Sequence, residues 1–152
     1  MKHAYLIIAH SSFTLLKELI GALDDIRKDI YLHIDSKVDW KITEFHTNFS
    51  SLFVLPTRID ARWGDYSLVQ VELLLFETAY KNGRYAYYLL LSGVDFPIKN
   101  QDFIHHYCEI HQGVEYIGFV HENVEKEIKW NSQHYFLFSK DFGTKNIVKK
   151  SS

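Results

Sequence analysis

The sequence holds a single cysteine, Cys108. No disulfide can close within the chain, and the paired-cysteine motifs of redox and structural-metal sites are excluded. A lone thiol favours a reducing compartment, so the expected location is cytoplasmic, with room for peripheral attachment to the inner membrane. Long apolar runs are also missing. The first, Ala4 to Ala9, is interrupted by His10, far short of a signal-peptide core or of the roughly 20 residues needed to cross a bilayer. Charge of one sign is lacking too: Lys and Arg number 17 against 19 Asp and Glu. That balance leaves no electrostatic footprint for a phosphate backbone and argues against nucleic acid as a partner. The patterns GxGxxG, GxxxxGKS/T, GxSxG and HExxH are absent, which removes the usual signals for dinucleotide, P-loop, α/β-hydrolase and zinc-protease sites. No repeat, low-complexity tract or linker interrupts the chain, so residues 1–152 read as one domain.

What is present is apolar and aromatic. Apolar residues make up 47% of the chain, enough for a substantial core. The C-terminal part carries Tyr116, Phe119, Trp130, Tyr135, Phe136, Phe138 and Phe142. Such a stretch needs a surface to pack against, so self-association or partner binding through this segment is an expectation.

Four apolar runs break at their C-terminal ends into small polar clusters. The runs are Ala4 to Ala9, Ile30 to Leu32, Leu52 to Leu55 and Tyr85 to Leu91. The clusters that follow are His10 to Ser12, His33 to Lys37, Thr57 to Asp65 and Ser92 to Pro97. If the runs are parallel strands, their polar ends collect along one sheet edge, where open α/β folds bind ligands.

Between the runs the pattern is helical. Leu15, Leu16, Leu19, Ile20 and Leu23 fall on one face of a helix capped by Ser11 or Ser12, making residues 1–35 a βαβ unit. Asp39 to Phe49 suggests a short helix. Ser67 and Gln70 form a capping box, and the helix over Leu68 to Tyr80 is apolar nearly all round, so it is predicted to be largely buried. Tyr85 to Leu91 reads as a strand covered on both faces, Asn100 caps a helix through His111 that ends at Gly113, and Glu115 to Val120 is a plausible fifth strand.

Several clusters carry chemistry, each beside a plainer use. Arg62-Trp63-Gly64-Asp65-Tyr66-Ser67 brings an arginine, an indole face and a helix N-terminus together, which suits an anionic nucleotide; a packed loop with surface charges fits equally well. Asp35 follows the second strand, where a carboxylate accepts hydrogen bonds from a ribose or base, or equally caps a turn. Gly93 permits close backbone approach and Asp95 sits beside Pro97, yet a simple turn uses the same residues. His105, His106, Cys108 and His111 raise the question of a metal. Helical spacing sets Cys108 with Ile104, Tyr107 and His111 and leans His105 and His106 to another face, so exposed helix histidines are the favoured reading.

The blocks AYLIIAH, IYLHIDSK, RIDARWGDYSLVQVELL and YYLLLSGVDFPIKNQDFI, in this order and spacing, resemble the core-2/I-branching beta-1,6-N-acetylglucosaminyltransferase family, most closely its bacterial members. The resemblance covers about residues 3 to 120. It implies a GT-A-like, Rossmann-like α/β fold with a mostly parallel sheet flanked by helices. It also implies a UDP-sugar donor and inverting, metal-independent transfer, typically of N-acetylglucosamine or xylose, to a hydroxyl of an acceptor glycan or protein. The lack of a D-x-D carboxylate pair agrees with that. By resemblance, His10, Asp35, Lys37, Arg62, Trp63 and Ser67 belong to the nucleotide site, and Gly93 and Asp95 lie near the donor sugar. No metal or other cofactor is implied.

Family members continue well past this length, with a general-base glutamate and metal-replacing basic residues in the continuation. The expectation is therefore a chain lacking the C-terminal part of the family fold, with no catalytic base assignable. Glu122, Glu125 and Glu127 are suggested by proximity alone. Arg58, Arg62 and Lys37 are the cations available to a leaving diphosphate at the strand edge. The alternative is a catalytically incomplete fragment that binds nucleotide or a partner protein only. Asp35→Ala is expected to weaken UDP binding with little effect on the fold, and Trp63→Ala to affect both.

Overall fold

A computed structural model of the chain describes residues 1–40 and 45–117. Contacts divide the chain into two units, Met1–Ile110 and His111–Ser152, and the first carries the architecture. Its elements are β1 (His3–Ala9), α1 (Phe13–Leu23), β2 (Lys28–Ile34), β3 (Ser51–Val54), α2 (Tyr66–Asn82), β4 (Tyr87–Ser92) and α3 (Gln101–Ile110). The four strands form one all-parallel sheet in the order β3-β2-β1-β4. This is an α/β, Rossmann-type arrangement of the GT-A-like kind.

Alternation along the strands divides the core in two. Tyr5, Ile7 and Ala9 of β1 and Ile30, Leu32 and Ile34 of β2 face Leu16, Leu19, Ile20 and Leu23 of α1. Ala4 and Leu6 of β1 and Tyr31 of β2 turn the other way, onto Val71, Leu75 and Ala79 of α2. Burial on both faces explains why the central strands read as continuous apolar runs rather than alternating ones. Each large side chain so buried contributes roughly 1.5–3 kcal/mol.

Local signals are answered in altered form. Ser12 precedes α1 but has left-handed backbone and makes no side-chain cap bond; its carbonyl accepts from Leu16 N at 3.0 Å. Helix α2 starts before the expected capping box. Asp65 is its cap, its carboxylate accepting from Ser67 N at 3.1 Å. The helix is also not largely buried. Only Ser67, Val71, Leu75 and Ala79 are enclosed, while Val69, Leu73, Phe76 and Tyr80 are exposed, because a helix laid on a sheet buries one stripe. Strand β4 is half-buried for a related reason: the strand order places it at the edge among the described residues.

The short helix expected over Asp39 to Phe49 is not found in its described part; residues 41–44 lie outside the described residues. Of the fifth strand expected at Glu115 to Val120, residues 115–117 are irregular and 118–120 lie outside the description, as do Glu122, Glu125, Glu127 and the aromatic positions from Phe119 onward. Within the second unit, Gly113 takes φ 86 in a turn where Val114 N donates to His111 O at 3.1 Å. No described helix is long and apolar enough to cross a membrane.

Asn100 caps α3 as predicted, its Oδ1 accepting from Phe103 N at 2.9 Å. The face assignment on that helix is corrected. His105 is buried together with Cys108, since residues three apart share a helix face. His105 stacks on His3 with ring centroids 4.2 Å apart. Burial is the main cause that pushes both imidazoles down to about 4, so they are neutral in the fold at pH 7. The unfolded chain takes up these protons near pH 6.5, so stability falls as pH drops from 6.5 to 4 and levels off below. The expected loss is on the order of 3 kcal/mol per imidazole. Urea midpoints across that range in halide-free buffer check it, and a His105→Phe variant with an equally steep decline contradicts it.

Candidate functional site

The C-terminal ends of β1, β2 and β4 lie side by side, and backbone bonds tie the loops that leave them. Asp35 N donates to Ala9 O at 2.9 Å and Gly93 N to Ile8 O at 2.8 Å. Ser36 N reaches Ile59 O at 3.2 Å, bringing in the segment between β3 and α2. His10, Asp35, Lys37, Gly93 and Asp95 therefore share one sheet edge. The Arg62–Ser67 segment joins them through side chains.

Asp35 organises that junction. Its Oδ1 accepts from Lys37 N at 2.8 Å and its Oδ2 from Ala61 N at 3.0 Å. Lys37 Nζ stands 3.2 Å from the same Oδ2, and the Asp35 side chain is only 1% exposed. It lies on a loop as expected but is buried and engaged, which overturns the expectation that its removal would leave the fold intact.

The cations converge on a carboxylate that sequence reasoning left out. Asp60 Oδ1 accepts from Lys37 Nζ at 2.6 Å, and its Oδ2 accepts from Arg62 Nη2 at 2.6 Å. Lys37 Nζ also donates to Ala61 O at 2.9 Å. The bonds from Arg62 and then Lys37 hold the Asp60 carboxyl down at about 2, and Lys37 is raised by the same pairing. The signal was present in the run Arg58-Ile59-Asp60-Ala61-Arg62, an acid between two arginines two residues to either side.

Arg58 is committed elsewhere. Its guanidinium donates to Ile34 O at 3.1 Å, to Asp35 O at 2.6 Å and to Val38 O, closing the turn after β2. As a cation for a leaving diphosphate it is thus set aside, leaving Lys37 and Arg62.

Ser67 is buried, its Oγ accepting from Arg62 N at 3.0 Å, so it fixes the loop rather than facing outward. Trp63 is 80% exposed. Its indole is therefore reached by solvent over most of its surface, next in sequence to Arg62. His10 is exposed. Asp95 closes its own turn, with Oδ2 accepting from Ser92 N at 2.8 Å, and is exposed. At Gly93 a Cβ would stand 3.0 Å from Ala9 Cβ, so the close approach that requires glycine is to β1.

Chemically, the edge offers a largely exposed indole, two cations sharing one carboxylate and a hydrogen-bonded loop junction. That combination can stack a base and meet an anionic group. Among the described residues no group of three or more His, Cys, Asp or Glu side chains is placed to hold a metal. The sequence model of the family described as Core-2/I-Branching enzyme matches residues 3–151. Among curated proteins nothing matches the chain.

Proposed function

The chain belongs to the core-2/I-branching enzyme family, and from that premise we propose inverting, metal-independent transfer of a sugar, N-acetylglucosamine in the first instance, from a UDP-sugar to an acceptor glycan hydroxyl. Glycosyltransfer from a nucleotide-sugar donor to a glycan is the chemistry of the family. The observation that carries the finer reading is the cation pair Lys37 and Arg62, braced by Asp60 beside the exposed Trp63, at the ligand-binding edge of a parallel sheet.

In this reading the uracil stacks on Trp63 and the loop held by Asp35 positions the ribose. The diphosphate lies against Lys37 and Arg62. A carboxylate base takes the proton of the acceptor hydroxyl, whose oxygen forms a new bond to the anomeric carbon as the bond to the UDP oxygen breaks. Configuration at that carbon inverts, and charge grows on the departing diphosphate. Fixed cations stabilise that charge, the task a divalent ion performs where a D-x-D pair is present. Asp95 and Gly93 stand on the neighbouring loop, toward the donor sugar.

Calorimetric titration with UDP and UDP-N-acetylglucosamine, with and without a chelator, tests the reading. Saturable UDP binding unaffected by chelator supports it, and no UDP binding refutes it. Trp63→Ala is expected to lower UDP affinity about tenfold, the scale of one base-stacking contact. Because the indole is exposed, thermal stability should hold within about 0.5 kcal/mol. Unchanged UDP affinity would remove Trp63 from the site.

A further inference from the structure

A second polar cluster lies at the opposite end of the strands, under α3, and none of its residues belongs to the candidate site. His3 and Tyr5 of β1 share a face, and Lys28 of β2 is in register with His3. His105 and Cys108 of α3 close over them. Exposures are 1% for His3, 2% for Tyr5, 0% for Lys28, 3% for His105 and 7% for Cys108. Gln101 fastens the helix there, its Nε2 donating to Ala22 O at 2.7 Å.

Polar atoms in this enclosure go unanswered. Among the described residues Lys28 Nζ, Tyr5 Oη, His3 Nδ1 and His105 Nε2 have no hydrogen-bond partner. Lys28 Nζ lies 4.9 Å from the centroid of the Tyr5 ring and makes no ion pair among the described residues. The nearby carboxylates are engaged: Asp25 accepts from Arg27 Nε at 2.8 Å and Nη2 at 2.6 Å, and Asp102 accepts from Arg27 Nη2 at 2.7 Å. Asp25 and Asp102 act on Lys28 only from beyond ion-pair distance, and a buried ammonium without a hydrogen-bonding partner and several buried donors without acceptors are each costly. Native interiors answer such groups with protein, water or an ion.

The charge and the donor set decide which. An ammonium and a phenol hydroxyl donate, and each neutral imidazole donates through one nitrogen, so the enclosure is donor-rich and carries the positive charge of Lys28. A cation is repelled there, whereas an anion accepts from such donors, and the smallest anion asks the least rearrangement of the stacked His3 and His105 rings. We propose that Lys28, Tyr5 and the His3–His105 pair bind one small monovalent anion of the halide class, which pins α3 to the N-terminal end of the sheet.

Thermal unfolding of the full chain in sodium chloride against sodium gluconate at equal ionic strength tests this. The expected result is a melting temperature about 5 °C or more higher in chloride once its concentration is well above Kd. Lys28→Met, which keeps the length and removes the charge, should abolish the difference, and Tyr5→Phe should reduce it. Crystals grown in bromide should show anomalous density within hydrogen-bonding reach of Lys28 Nζ. Equal melting temperatures in the two salts, or bromide density absent from that position, overturns the proposal and leaves water as the occupant. If Lys28→Met does not fold, the wild-type salt comparison and the bromide map decide.

Discussion

Asp35→Ala is expected to destabilise the α/β unit by about 3 kcal/mol and to cut UDP affinity at least tenfold. Its carboxylate is buried and accepts from Lys37 N at 2.8 Å and Ala61 N at 3.0 Å. Truncation leaves both amides without acceptors in a nearly water-free place, at about 1–3 kcal/mol per group. It also removes one of the two carboxylates beside Lys37 Nζ. The loop between β3 and α2 is then no longer stitched to the end of β2, so the residues proposed to meet UDP lose their common frame. Asp35→Asn, which keeps the shape and one acceptor oxygen, should fall between the two. Urea unfolding gives the stability change and calorimetry the affinity change. A variant as stable as the parent would mean the junction holds without this side chain.

The second large effect concerns the cations. Changing Lys37 and Arg62 together to alanine should lower UDP affinity about a hundredfold while leaving uridine binding nearly as it was. Hydrogen bonds to charged groups contribute about 1.5–3 kcal/mol each, and a diphosphate has to draw both side chains from Asp60 to use them. Fold stability should move by less than about 1 kcal/mol per pair, since both side chains sit in partly exposed ion pairs. The salt dependence of UDP binding should flatten in the double variant, as fewer screened contacts remain. Equal losses for UDP and uridine would place the cations away from the diphosphate.

The two effects are distinguishable by what accompanies them. Asp35 acts through the frame, so affinity and stability fall together. Lys37 and Arg62 act on the ligand's charge, so affinity falls alone and only for the phosphorylated ligand.

Much of the layout follows from local pattern. Two-sided burial writes itself into the strand sequences as unbroken runs such as Tyr5-Leu6-Ile7-Ile8, and the helix period of Leu16, Leu19, Ile20 and Leu23 marks the face that meets them. The order of the four blocks was enough to indicate the family, whose sequence model matches residues 3–151. The collection of polar loops at one edge follows once the strands are parallel, because each strand then ends on the same side.

Tertiary structure decided how those polar residues are consumed by the scaffold. Arg58 closes carbonyls 20 to 24 residues earlier, Asp35 accepts from an amide 26 residues later, and Asp60 braces a lysine 23 residues before it. Partnerships at such separations leave no periodic trace in the chain, since they depend on how loops from different strands meet. The same holds for α2, whose sequence is apolar nearly all round and whose burial was set by the single sheet face it covers. Composition and spacing determined that this protein would build a parallel sheet with a polar rim; the contacts across that rim determined that Asp35 is a strut, Arg58 a clasp, and Asp60 the carboxylate that Lys37 and Arg62 share.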